Sequence, residues 1–198
     1  MKHIEIEQNS EEWDNIRLGK FTASMFYKLF SKKDSATYQK AILNIAYERA
    51  TGESEEKYTS KLMQRGHDRE PFAAFEYETQ TFRETKKVGF YQYNDFIGAS
   101  PDRAIVGLKG GCEFKCPTFS VYHEYLLNGL IPDIYYYQIQ GQLLCTNWDF
   151  IDYMPFTSTK VKNRITTVER SDKDIKLLIE ALFEANYKVE KILNDILS

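Results

Sequence analysis

The sequence predicts an α/β fold with a mixed central β-sheet flanked by helices. Helical periodicity opens the chain, three or more strand-like segments follow, and a pair of helices separates them from two further strands and a last helix. A chain of 198 residues with 42% hydrophobic residues can bury one well-formed core. Because no repeat, low-complexity tract or linker divides the chain, we expect a single domain over residues 1–198.

The first sixty residues contain a short strand followed by three helices. A strand is predicted over 3–7, and Asn9 or Ser10 can cap a helix that ends at Gly19. A short second helix starts after Thr22 and ends near residue 31, because Thr22 is a suitable cap. A third helix is predicted over 37–50, and a charged loop over 53–60.

The middle of the chain combines one long helix with the strands of the sheet. The helix is predicted over 59–80, with a kink or a break at Pro71, since proline removes a backbone N–H and clashes with the preceding turn. A strand follows over 87–93. Two more strands, over 96–105 and 111–116, flank a glycine-rich turn and are expected to pair as a hairpin.

The last third returns to helices before the sheet is completed. Helices are predicted over 118–128 and 132–146, the second with Pro132 in its first turn. Strand-like segments cover 148–156 and 163–170. The final helix begins at Ser171, where Ser-x-x-Asp resembles a capping box.

The charge balance limits the classes of partner. With 26 basic and 29 acidic residues the chain has a net charge of −3, which argues against a protein that coats nucleic acid over its whole surface. A local basic groove is compatible with this balance, and clustered metal-binding carboxylates would themselves add negative charge.

Cysteine content and hydropathy indicate a cytoplasmic protein. Three cysteines, an odd number, favour reduced thiols, and we interpret Cys112 and Cys116 as core thiols on an apolar strand face rather than as a metal pair. No apolar run approaches the roughly 20 residues that cross a bilayer, and the first residues lack a signal-peptide core. We expect no membrane association.

The candidate site is formed by Asp102, Glu113 and Lys115. Alternation on strand 111–116 places its apolar side chains on one face and Glu113 and Lys115 on the other, which we expect to be exposed. If the two strands pair, Asp102 lies beside them, and two carboxylates with an ammonium suit Mg²⁺-assisted chemistry at a phosphate. The alternative is a surface hairpin with an ordinary salt bridge.

A second candidate site lies near the N-terminus. Arg17 lies a few residues ahead of the short helix that begins after Thr22, with the Thr22 and Ser24 hydroxyls at the start of that helix. Free backbone N–H groups together with an arginine form a typical phosphate site.

The residues Ser100-Pro101-Asp102 and Glu113-Phe114-Lys115-Cys116-Pro117 resemble the signature of the PD-(D/E)xK nuclease superfamily. Their wider context is similar to the lambda-exonuclease or YqaJ viral recombinase family within it. Further motifs agree with that resemblance: Trp13-x-x-x-Arg17-Leu18-Gly19-x-x-Thr22-Ala23-Ser24, Gly66-x-x-x-Glu70 and Tyr137-Gln138-Ile139-Gln140. The resemblance implies a restriction-endonuclease-like core.

The resemblance also implies a role for each matching residue. Asp102, Glu113 and the Phe114 backbone carbonyl are expected to hold one Mg²⁺. Asp102 and Glu70 are expected to help a second ion, and Mn²⁺ is expected to substitute. Lys115 would orient or activate the attacking water, and Gln138 would contact the scissile region. Arg17, Ser24 and Ser100 would anchor a terminal 5′-phosphate.

The implied activity is a Mg²⁺-dependent 5′→3′ exodeoxyribonuclease. It would digest one strand of linear double-stranded DNA from a 5′-phosphorylated end, release mononucleotides and leave 3′ single strands for phage-type recombination. The resemblance further implies a homotrimeric ring, a single-strand annealing recombinase as partner and the cytoplasm of a bacterial host.

Two alternatives stay open at this point. Another PD-(D/E)xK nuclease, either an endonuclease or a Cas4-like enzyme, would share the same metal-binding residues, although three scattered cysteines cannot supply the four that a Cas4-type iron–sulfur cluster needs. A non-catalytic DNA end-binding module would need a basic groove but not Asp102 or Glu113.

Overall fold

The computed structural model describes residues 1–54 and 61–198, without the side chains of residues 61–63. The helices are α1 (Glu11–Arg17), a 3₁₀ helix (Ala23–Phe30), α2 (Ala36–Thr51), α3 (Lys61–Thr81), α4 (Phe119–Asn128), α5 (Asp133–Thr146) and α6 (Asp172–Leu197). The strands are β1 (Lys2–Ile4), β2 (Phe21–Thr22), β3 (Thr85–Lys87), β4 (Phe90–Asn94), β5 (Ile97–Ala99), β6 (Arg103–Ile105), β7 (Gly110–Lys115), β8 (Phe150–Pro155) and β9 (Thr166–Glu169).

The predicted α/β class with mixed pairing is confirmed, but the strands form two sheets. Their orders are β1-β4-β5-β2 and β3-β6-β7-β8-β9. In the larger sheet β7 pairs antiparallel with β6 and parallel with β8, so β7 lies at its centre. In the smaller sheet β2 and β5 are parallel, while β4 is antiparallel to both β1 and β5.

The expected single strand over 96–105 is wrong. The chain leaves the smaller sheet after β5 and enters the larger sheet at β6. Pro101 lies in the link and has no N–H to give to a strand ladder, and its carbonyl accepts a hydrogen bond from Gln8 instead. Asp102 is therefore placed where the chain passes from one sheet to the other.

The alternation predicted for β7 is confirmed, but its polar face is not exposed. Cys112 and Phe114 belong to an apolar cluster that includes Ala73 and Tyr77 of α3. Glu113 points to the opposite face, where it is only 1% exposed, because β7 is central and α5 covers this side. The sheet is thus enclosed between α3 and α5, and Glu113 faces α5.

Helix α3 runs through Pro71 as one helix, so the sequence there causes no break. The hydrogen bond that proline removes would have ended on the carbonyl of residue 67, and His67 is exposed, so water can satisfy that group. The expected loop over 53–60 and the predicted helix start at Thr59 lie largely outside the described residues.

Two expectations from composition can be compared with the structure. The three cysteines are free, with Cys112 and Cys145 buried and Cys116 half-buried. Among the residues that the structure describes, no helix combines the length and apolar character needed to cross a membrane.

The segment before β4 tolerates no side chain at Gly89. A Cβ there would lie 2.1 Å from the Ile4 carbonyl oxygen and 2.7 Å from the Ile6 backbone nitrogen, and neither atom can rotate away. We predict that Gly89→Ala destabilises the protein by about 1–3 kcal/mol, because β1 must shift. Thermal or urea unfolding measures this. Gly66→Ala is the matched control: apart from the backbone of its own helix, no atom of the described residues lies within 4 Å of the added methyl, so a gain of about 0.5–1 kcal/mol is expected. Equal effects of the two substitutions would contradict the packing explanation.

Candidate active site

Asp102 is fixed against β7 by a backbone hydrogen bond. The Phe114 N–H donates to Asp102 Oδ2 at 2.6 Å. This N–H is available because β6 pairs with β7 only as far as Arg103 opposite Cys112. The N–H and C=O of one strand residue point to the same edge, so the Phe114 carbonyl also faces the side on which Asp102 lies.

Lys115 completes the predicted convergence. Its Nζ lies 2.5 Å from Glu113 Oε1 and 5.2 Å from the centre of the Tyr135 ring. Asp102 is bonded to the N–H of Phe114, the residue between Glu113 and Lys115 on β7. The three side chains that the sequence predicted to converge are therefore neighbours in the folded protein.

Two glutamines of α5 hold the two oxygens of Glu113. Gln138 Nε2 donates to Oε1 at 2.7 Å, and Gln142 Nε2 donates to Oε2 at 2.6 Å. Gln138 was expected at the site from the sequence, whereas no role was predicted for Gln142. Helical spacing predicts that Gln142, four residues after Gln138, lies on the same face of the helix, but it does not show that this face meets Glu113.

The site opposes ionisation of Asp102 and favours the charged form of Lys115. Burial and the negative charge of Glu113 raise the pKa of Asp102 well above its usual value, and Glu70 adds to the effect. Burial alone would lower the pKa of Lys115, but the charges of Glu113 and Asp102 outweigh it and raise that pKa. Lys115 is thus an ammonium at neutral pH.

Glu70 lies at one side of this group. Its Oε1 is 3.6 Å from Arg103 Nε, in an ion pair that joins α3 to β6. Glu70 and Asp102 both line a cavity of about 420 Å³ whose other walls are the N-terminal segment and the residues 86–89.

The oxygen donors of the site fit a hard divalent cation, although they do not form a complete cage. Across the described part of the chain no three His, Cys, Asp or Glu side chains are grouped so that they could hold a metal ion. Asp102 accepts one hydrogen bond, and Glu113 Oε2 accepts one, which leaves lone pairs on both carboxylates. Mg²⁺ needs only one or two carboxylates and retains water, and its charge would offset the repulsion that raises the Asp102 pKa.

The predicted phosphate site is partly assembled. The Arg17 guanidinium lies 3.6 Å from the centre of the Trp13 ring, and Trp13 Nε1 donates to Ser100 Oγ at 2.9 Å. Burial lowers the pKa of Arg17 to about 10, a value at which the side chain is still charged at neutral pH. Trp13 thus connects the arginine with a serine next to Asp102.

Ser24 is exposed and lies just after the strand β2, which pairs with the strand that leads to Ser100. In the parallel pair of β2 and β5, Thr22 lies beside Gly98, so Ser24 and Ser100 each follow two residues later. Thr22 Oγ1 lies 3.4 Å from Ser24 Oγ. The helix that follows is 3₁₀, and the Thr22 side chain does not cap it, contrary to expectation.

Comparison with known proteins gives consistent matches. The model of the YqaJ-like viral recombinase domain matches residues 12–149. The alkaline exonuclease LHK-Exo from Laribacter hongkongensis has a similar structure, with a TM-score of 0.86, 27% identity, and coverage of 94% of this chain and 96% of that chain. The structure of LHK-Exo in complex with dAMP gives the same values.

A phage-related exonuclease from Haemophilus somnus 129PT also matches, with a TM-score of 0.68, 18% identity, and coverage of 92% of this chain and 99% of that chain. At that identity the likeness concerns the fold alone. A search of curated proteins found no match.

The raised pKa of Asp102 predicts that its charge costs stability in the metal-free protein. A carboxyl whose pKa is higher in the folded state favours folding below its ordinary pKa and loses that contribution as pH rises through the folded value. We predict that Asp102→Asn, which retains an acceptor for the Phe114 N–H, raises Tm at pH 8 in EDTA, and that the gain shrinks toward pH 4. Glu180→Gln, on the exposed surface of α6, removes the same charge and is expected to leave Tm nearly unchanged. A Tm that falls for Asp102→Asn at every pH would show that the Asp102 charge does not oppose folding.

Proposed function

We propose that this chain, which belongs to the family of YqaJ-like viral recombinase domains, is a Mg²⁺-dependent exodeoxyribonuclease that acts on linear double-stranded DNA. The observation that carries the proposal is the convergence of Asp102, Glu113 and Lys115 at the carboxyl end of β7. The likeness to an alkaline exonuclease over 94% of the chain supports the same activity.

The metal-binding residues follow from the donors described above. Asp102, Glu113 and the Phe114 carbonyl would hold one Mg²⁺, and Asp102 with Glu70 would help to hold a second, with Mn²⁺ as a substitute. When bound, such ions stabilise the attacking and leaving oxygens of an in-line displacement at phosphorus.

Lys115 and Gln138 would act on the reacting groups. Since the pKa of Lys115 is raised, the side chain is a hydrogen-bond donor, so it would orient the attacking water and stabilise charge on the phosphate rather than accept a proton. Gln138 holds Glu113 in place through a hydrogen bond from its amide, and it would contact the scissile region beside that carboxylate.

Digestion would start at a 5′-phosphorylated end. Arg17, Ser24 and Ser100 would anchor the terminal phosphate, because they supply one cation and two hydroxyls, and Trp13 connects the cation to Ser100, two residues before Asp102. With the terminal phosphate held there, the next phosphodiester bond along the strand would lie at the proposed metal site. This arrangement favours 5′→3′ digestion that releases mononucleotides and leaves a 3′ single strand.

The biological setting is also a proposal. Residues 1–198 would form one catalytic domain that assembles as a homotrimeric ring in the cytoplasm of a bacterial host. The 3′ strand would pass to a single-strand annealing recombinase.

Linear and circular duplexes distinguish the proposed activity from an endonuclease. We predict Mg²⁺-dependent release of nucleotides from linear duplex, no cutting of closed circles, and complete loss of activity in EDTA. Lys115→Ala is expected to lower kcat by about 10²–10⁴-fold, since it removes the donor to the water. Lys109→Ala removes an exposed cation that precedes the first residue of β7, at the end of the strand away from Lys115. It is expected to leave kcat unchanged. Cleavage of closed circular duplex, or digestion that persists in EDTA, would contradict the proposal.

The phosphate anchor predicts a loss of end discrimination. We predict that Arg17→Ala lowers the rate on 5′-phosphorylated duplex by on the order of 10- to 100-fold, which is the effect of one charged hydrogen bond, and changes the rate on 5′-hydroxyl duplex much less. The ratio of the two initial rates is the measurement. Lys28→Ala, a cation on the 3₁₀ helix, is the control and is expected to preserve the ratio. An equal loss of rate on 5′-phosphorylated and 5′-hydroxyl duplex would show that Arg17 does not bind the terminal phosphate.

A further inference from the structure

The loops that follow β7 and β8 lie directly beside the candidate active site. These two strands are parallel, so both loops leave the sheet at the same edge. The Phe156 N–H donates to the Lys115 carbonyl at 2.7 Å, which places the start of the second loop against the catalytic strand. In open α/β sheets the carboxyl ends of strands are where ligands bind.

A buried asparagine gives the second loop a defined conformation. Asn163 is 1% exposed, and its Nδ2 donates to the carbonyls of Ser158 at 3.0 Å and Val161 at 3.1 Å. Its Oδ1 accepts from the Thr157 N–H at 3.3 Å. The Tyr122 hydroxyl donates to the Lys162 carbonyl from α4. The loop is therefore held from inside, and its charged side chains point outward.

All of those charged side chains are cations. The sequence has no Asp or Glu between Asp152 and Glu169, while Lys160, Lys162 and Arg164 are exposed on this loop. The segment between Asp152 and Glu169 is thus locally basic, although the whole chain has a net charge of −3. Within the part of the chain that the structure describes, none of these three forms an ion pair, so their charges are not neutralised locally.

Helix α3 adds two arginines to the same edge. Arg69 Nη1 donates to the Thr157 carbonyl at 2.6 Å, and Arg65 Nη2 donates to the Pro117 carbonyl at 3.2 Å. Each guanidinium uses one of its five N–H donors in these bonds, and neither contacts a carboxylate among the described residues. Asp68, on the same helix, accepts a hydrogen bond from Gln64.

We infer that these five side chains form a basic rim that binds the phosphate backbone of the DNA next to the active site. The rim is made of Arg65, Arg69, Lys160, Lys162 and Arg164. This inference rests on the proposed function, since the candidate site that the rim adjoins would cleave DNA. A polyanion fits the rim because cations without acidic partners gain most from a ligand that brings its own regular negative charge.

The rim also agrees with the acidic composition of the protein. An enzyme that carries 29 acidic residues repels DNA from much of its surface, so a local set of unpaired cations has to supply the attraction. Because the rim lies at the carboxyl end of β7, DNA bound there would lie close to Lys115 without covering that side chain.

The test is the salt dependence of DNA binding by the full chain in EDTA, where cleavage does not interfere. Fluorescence anisotropy with a labelled linear duplex would be measured over a range of NaCl concentrations for the wild type and for the Lys160→Gln/Lys162→Gln double variant. Each phosphate contact contributes about 0.9 to the slope of log K against log salt, so we expect the slope to become shallower by up to about 1.8, with weaker binding at low salt.

The control variant removes two lysines from the opposite edge of the sheet. Lys173 and Lys176 lie in the first turns of α6, just after β9, whose last residue pairs with Phe150 at the start of β8. Lys173→Gln/Lys176→Gln has the same net charge as the test variant and is expected to keep the wild-type slope.

Three outcomes would overturn the inference. If the test variant keeps the wild-type slope and affinity, the rim does not bind DNA, while the proposed function stands. The same conclusion follows if the control loses as much as the test variant, because only the total charge then matters. If the wild type itself binds no linear duplex at low salt, the proposed substrate is wrong, and the rim fails with it.

Discussion

The buried carboxylate of Glu113 is the constraint on which the rest of the structure depends. A carboxylate that is 1% exposed on a central strand needs partners, because an unpaired buried charge is strongly unfavourable. Gln138, Gln142 and Lys115 supply these partners, two from α5 and one from β7 itself. The residue proposed to bind the metal therefore also fixes α5 against the sheet, and the site cannot be loosened without disturbing the fold.

A second buried carboxylate, Asp152, fixes a helix against the other face of the sheet. Asp152 lies next to Cys112 in the parallel pair of β7 and β8, and so faces α3. It accepts hydrogen bonds from Tyr77 and Thr167, each at 2.6 Å, and from Arg83 at 2.9 Å. Because Tyr77 is two helical turns beyond Glu70, this anchor also limits where α3 can place Glu70 relative to Asp102.

Local patterns predicted much of this structure, and non-local pairing accounts for what they missed. Alternation along 111–116 correctly separated Cys112 and Phe114 from Glu113, and helical periodicity placed Gln138 and Gln142 on one face. The passage between two sheets at Asp102 depends on which strands pair, and no property of residues 96–105 alone reveals it. The burial of Glu113 was missed for the same reason: a strand's own sequence does not show which helix covers it.

Helix α3 connects the proposed metal site with the proposed DNA-binding rim. Within α3, Arg65 and Arg69 contact the loops after β7 and β8, while Glu70 contacts Arg103 on β6. The arginines and Glu70 contact different parts of the same sheet edge. A shift of α3 toward the two loops would therefore break its contact with β6, and a shift toward β6 would break its contacts with the loops. The Tyr77–Asp152 hydrogen bond then holds the helix at a single position. DNA bound at the rim would consequently meet a carboxylate set whose geometry is already fixed, as catalysis by positioning requires.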